Sequence, residues 1–162
     1  MKMNNSSDFD LDLFFKTDFL FLHVATAGLQ VNDEIFFNSS HNDFRNLLKN
    51  ISLTPFQYKL NPFLQEIISS KRETNTNFNF EFYIADFIKY AQLGLFSFDR
   101  TFINNNEDNN FHLVAYPILD DSYNMLINHI YGINLNLDYN QINNIVTGFI
   151  HDNLNRSFKW SL

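Results

Sequence analysis

The chain has 162 residues, 45% of them hydrophobic, and carries 18 acidic against 11 basic side chains for a formal net charge of −7. That length suits one domain able to bury roughly 68–70% of the surface its unfolded form exposes, so folding needs no disulfide or metal staple. Cysteine is absent, which excludes disulfides, thiolate metal sites and cysteine nucleophiles. The acidic excess argues against nucleic acid and anionic membrane surfaces as partners.

Aromatic mass is concentrated in 20 Phe, against one Trp. Each buried Phe contributes on the order of 1.5–3 kcal/mol, ample drive for a core. The first eight residues, MKMNNSSD, are polar and read as a disordered tail, leaving 9–162 as a single globular domain.

The stretch 18–28, DFLFLHVATAG, looks like the end of a secretory signal peptide. A signal peptide needs a basic leader and an apolar tract of about 7–15 residues. Here Asp8, Asp10, Asp12 and Asp18 outweigh Lys2 and Lys16, and the tract Phe19–Leu22 stops at His23. Export is therefore rejected, no segment approaches the roughly 20 apolar residues of a membrane span, and a cytoplasmic location is expected. The apolar positions from Leu13 onward favour one buried helix over 13–27, with Gly28 as a left-handed stop. A buried strand at Phe19–Ala25 is the competing reading, because periodicity alone does not separate the two.

Further along, Ser39 or Ser40 caps an expected helix to about Ile51, with Phe44, Leu47, Leu48 and Ile51 on one face. Thr54-Pro55 ends it, and FQYKL (56–60) alternates as a short strand. Asn61-Pro62 starts a helix to about Arg72, Asn as cap and Pro preset for the first position; Phe63, Leu64, Ile67 and Ile68 form its expected buried face. Segment 77–94 reads as a strand to about 81 and then a helix to Leu93 stopped by Gly94, with a helix throughout as the rival. LFSFD (95–99) and FHLVAYPI (111–118) read as strands. The loop between them is too short for a parallel crossover, so they should pair antiparallel, with Pro117 at an edge or strand end. Asp120 or Asp121 caps a helix through Tyr131, a brief alternation follows at 133–137, and Asp138 or Asn140 caps a last helix to about Asn155. Without a regular βαβ rhythm, the expected architecture is α+β: helices packed on a small, mainly antiparallel sheet.

Chemical motifs are sparse. Gly occurs only at 28, 94, 132 and 148, too scattered for a phosphate-binding loop, and Ser97 lacks the flanking glycines of a nucleophile elbow. His23, His41, His112, His129 and His151 form no metal-ligand spacing, so neither metal nor cofactor is expected. The most suggestive cluster is Asp99-Arg100 with His112, which a hairpin would gather at one end. A carboxylate beside a histidine suits proton exchange near neutral pH; the plainer reading is a loop-anchoring ion pair beside a surface histidine. His23, inside an apolar stretch, must find a polar partner or face a pocket. Trp160, flanked by Arg156 and Lys159, reads equally as an anchor for the C-terminal tail, with cation–π support, or as an exposed contact for a partner.

Two functions follow as expectations. The first is a non-catalytic, acidic protein-binding module whose partner is a basic protein, in the manner of an immunity or antitoxin protein, with self-association left open. The alternative is a small enzyme or ligand-binding domain with a polar pocket near Asp99, Arg100 and His112.

Overall fold

The computed structural model describes residues 11–16, 21–28, 55–71, 77–101, 110–118 and 158–159. They form strands β1 (Asp12–Lys16), β2 (Phe21–Ala25) and β3 (Tyr58–Leu60), helices α1 (Leu64–Lys71) and α2 (Phe80–Gln92), then β4 (Phe96–Arg100), β5 (Asn110–Pro117) and β6 (Phe158–Lys159). The strands make one sheet in the order β1-β2-β4-β5-β3, with β6 paired to the start of β5. Every pairing is antiparallel except β2 with β4. The mainly antiparallel α+β architecture expected from the sequence is the one found.

The expected helix over 13–27 is not formed. Two antiparallel strands take its place, with Phe14 opposite His23 and Leu13 opposite Val24. β2 lies between β1 and β4, and Phe21 through Thr26 are all buried. A strand covered on both faces reads as a continuous apolar run, and that run is what imitated a helix. Thr26 closes the open end of the pair: its N–H donates to Leu11 O at 3.0 Å and its Oγ1 accepts from Leu11 N at 3.0 Å. Ala27 (φ 45°) and Gly28 (φ 77°) then turn the chain through the left-handed region, which costs Gly least.

Between β2 and its parallel neighbour β4 the chain passes through β3, α1 and α2. Asn61 sets the start of α1, as its sequence position suggests. Its Oδ1 accepts from Phe63 N at 3.0 Å, while its N–H donates to Val114 O and its Nδ2 to Leu113 O, both at 2.9 Å. Those two carbonyls flank a bulge, where Ser97 pairs with Ala115 and Phe98 with Leu113, leaving Val114 as the extra residue. Leu64, Ile67 and Ile68 are buried as expected, but Phe63 is not: it stands in the turn before the helix, 40% exposed.

The expected strand to about residue 81 is also absent. Asn79 is extended (φ −102°, ψ 108°) and its side chain accepts from Phe82 N at 3.0 Å, so α2 starts directly behind it. The alternation of Phe78, Phe80 and Phe82 does not mark burial, since Phe82 is 84% exposed. Gly94 does end α2: Gly94 N donates to Ala91 O and Leu95 N to Tyr90 O, the paired bonds of a left-handed glycine stop. Pro117 is the last residue of β5. Both helices cover one face of the sheet, where Leu64, Ile68, Ile84, Phe87 and Ala91 meet Ala25, Val114 and Ala115. The expected helices at 39–51, 120–131 and 138–155, the alternation at 133–137 and Trp160 lie outside the described residues.

Candidate functional site

On the helix-covered face, β1, β2, β4 and β5 present polar side chains where a core would ordinarily be apolar: Asp12, His23, Ser97, Asp99 and His112. Strand alternation places Ser97, Asp99 and Thr101 on this face and Phe96, Phe98 and Arg100 on the other. Over the polar row, α2 lays Tyr83, Phe87 and Tyr90, one helical stripe at i, i+4 and i+7.

Two hydrogen-bonded chains result. In the first, His23 is 1% exposed and both ring nitrogens are engaged: Nε2 lies 2.8 Å from Asp12 Oδ1, and Nδ1 is bonded to Ser97 Oγ. An ionised carboxylate only accepts, so Nε2 carries the proton and, in the neutral ring, Nδ1 takes the Ser97 hydroxyl hydrogen. Tyr90 stacks on the imidazole with centroids 3.9 Å apart and donates its hydroxyl to Asp12 Oδ2 at 3.0 Å. Burial alone would raise the Asp12 carboxyl, but the hydrogen bonds and charge of His23 and the Tyr90 hydroxyl hold it below its ordinary value. Burial, reinforced by the Asp12 charge, pushes the Tyr90 phenol well above its own.

The second chain joins residues named from the sequence. Asp99 and His112 are direct cross-strand neighbours. Tyr83 donates to Asp99 Oδ2 at 2.6 Å and lies 3.3 Å from His112 Nε2, while His112 Nδ1 lies 3.0 Å from Thr101 Oγ1. With its one hydrogen given to Asp99, Tyr83 can only accept from His112, so Nε2 carries the proton. His112 is fully buried, not the surface histidine of the plainer reading. Arg100 is buried too but belongs to the opposite face, where its guanidinium donates to Ala27 O at 3.3 Å. The structure thus brings Asp99 and His112 together and leaves Arg100 apart.

A cleft of about 580 Å³ opens beside both chains. Asp12, His23 and Asp99 line its sheet side, and Phe78, Phe82, Tyr83, Asp86 and Phe87 its helix side. Three carboxylates and four aromatic rings therefore meet there, and among the described residues no Lys or Arg belongs to the wall, although Lys89 Nζ donates to Asp86 Oδ1 at 2.6 Å. Ser97, although within an Asp–His–Ser chain, has no exposed surface, and neither has Thr101; neither hydroxyl can reach a substrate as the structure stands. Among the described residues no three His, Asp or Glu converge as metal ligands, and no helix is long and apolar enough to cross a membrane.

Of this cleft, sequence reasoning singled out only His23 and Asp99. In the sequence Asp12 reads only as part of an acidic leader. The one available signal for the helix side was the Tyr83–Phe87–Tyr90 spacing, which reads equally as core. The chain matches no protein-family model, no curated protein and no solved structure.

Proposed function

We propose that the protein is a non-catalytic binding module for a basic protein partner, acting in the cytoplasm as a single α+β domain. One observation carries this reading: a ligand-sized cleft whose wall holds Asp12, Asp86 and Asp99 with no Lys or Arg among its described residues, Asp86 being paired with the exposed Lys89 outside that lining, on a chain of net charge −7. An acidic surface raises the encounter rate with a basic partner and does so most at low salt. The buried hydroxyls of Ser97 and Thr101 weigh against nucleophilic catalysis.

The test is fluorescence anisotropy with a labelled arginine-rich peptide. Binding should be present at low ionic strength, weaken as salt rises, and fall further in Asp86→Lys, a change at an exposed position whose partner is the exposed Lys89. No binding at low salt, or equal binding to Asp86→Lys, overturns it. The alternative, a ligand-binding or enzymatic pocket near Asp99, Arg100 and His112, is favoured by the Tyr83 bridge between Asp99 and His112. It requires a ligand whose binding is sensitive to Tyr83→Phe and insensitive to salt.

A further inference from the structure

We infer that the cleft takes a single arginine side chain, its guanidinium received by carboxylates and its flat face by aromatic rings; this rests on the binding-module reading and names the group recognised. The carboxylates are held ready. Asp12 has one oxygen on His23 and the other on Tyr90, and Asp99 has one on Tyr83 and the other on the Arg100 amide. A carboxylate offers about four lone-pair sites, so Asp12, 49% exposed, keeps acceptor capacity while its rotation is already restrained. Asp99, 3% exposed, adds its charge to the sheet side, and Asp86, 77% exposed, shares its carboxylate with the exposed Lys89 at 2.6 Å.

The aromatic side is equally marked. Tyr83 sits between Phe78 and Phe87, with ring centroids 5.5 and 5.3 Å away. Phe82, on the helix side of the cleft, is left 84% exposed. An exposed ring beside carboxylates suits a cation over its face. The volume falls within the range of about 300–1,000 Å³ usual for ligand clefts.

Other occupants fit less well. An apolar side chain would cover the exposed carboxylates of Asp12 and Asp86 while giving neither a new partner, and an anion would be repelled. Calcium or magnesium wants about six or more oxygens, and among the described residues no three His, Asp or Glu converge as ligands. Between the two basic side chains, guanidinium is the more weakly hydrated, stacks on rings and matches carboxylate geometry with its fork.

The experiment is an NMR titration of the full chain with N-acetylarginine methylamide, beside its lysine counterpart and the citrulline counterpart, which keeps the shape and loses the charge. The arginine probe should shift amides at 77–87 and around 99, bind more tightly than the lysine probe, and outdo the citrulline probe by about tenfold. Phe82→Ala, at an exposed position that spares the fold, should weaken it about fivefold. Equal binding of arginine and citrulline probes, shifts elsewhere, or indifference to Phe82→Ala overturns the inference. The arginine-rich peptide separates the two levels: binding that survives Phe82→Ala unchanged leaves the module reading standing and removes the cleft as its seat, whereas no binding at all removes both.

Discussion

Tyr90 stacks on His23 and donates its hydroxyl to the same Asp12 carboxylate that accepts the His23 proton. Helix α2 and strands β1 and β2 are thereby fastened at one point, and Ser97 extends the fastening to β4. A buried histidine with both nitrogens bonded and a ring on its face is a packing element as well as a polar one.

Replacing His23 should accordingly separate the two contributions. His23→Ala opens a cavity and strips the buried Ser97 hydroxyl of this partner, with an expected loss of about 3–4 kcal/mol. His23→Phe refills the volume and restores only the packing, so its loss should be smaller, about 1–3 kcal/mol. Urea unfolding of both variants gives the comparison; equal losses would mean that the hydrogen bonds contribute everything and the packing nothing.

Asp12 predicts the acid limb of stability. Its folded value lies below the ordinary 3.8, so its contribution is full above that value and drains away as pH falls through the lower one. Stability should decline below about pH 4, and Asp12→Asn, unable to titrate, should show a shallower decline there. Unfolding curves between pH 2 and 7, by any optical probe, measure the difference.

Tyr90 predicts the alkaline limb, with the opposite sign. Its phenol is held above the ordinary 10.0 by burial and by the nearby Asp12 charge, so the protonated form belongs to the fold. Its contribution is full below pH 10 and is lost as pH rises through the elevated value. Ultraviolet titration of phenolate should show a late-ionising tyrosine in the native protein that disappears in Tyr90→Phe.

How far the sequence discloses this arrangement depends on the kind of signal. Local chemistry reads well: Asn61 before Pro62, Gly94 after Leu93 and the short connection between β4 and β5 act through a few neighbouring atoms, and each holds. Long-range pairing does not read. Phe21 through Ala25 is apolar but for His23 because β2 is flanked by β1 and β4 and covered on both faces, and no window within the run records which partner lies alongside. The same blindness hides the site. His23 gains meaning from Asp12, eleven residues away, from Tyr90 in a helix, and from Ser97 in a parallel strand. Phe82 misleads in the other direction: alternation with Phe78 and Phe80 suggests a buried strand face, while Asn79 has already committed the backbone to a helix.

Asn61 offers a test of that local chemistry under tertiary load. It is 3% exposed, caps the turn into α1 with its oxygen and satisfies a bulge carbonyl of β5 with its amide. Asn61→Ala should lose about 2–3 kcal/mol, a cap plus a buried carbonyl left without this donor. Asn61→Asp, a good cap elsewhere, keeps the oxygen but sets a carboxylate against Leu113 O. It should be no more stable than Asn61→Ala at neutral pH, and should recover when the carboxyl is protonated.

Tyr83 joins stability to the cleft. Its hydroxyl gives its hydrogen to Asp99, 3% exposed, and lies within reach of the fully buried His112. Tyr83→Phe keeps the ring and its contacts with Phe78 and Phe87 while deleting one hydrogen from a buried carboxylate, a change expected to cost about 1.5–3 kcal/mol. Urea unfolding of the variant beside the native protein measures that loss. If stability holds, the Tyr83 hydroxyl is not what fixes the Asp99 carboxylate in the wall of the cleft.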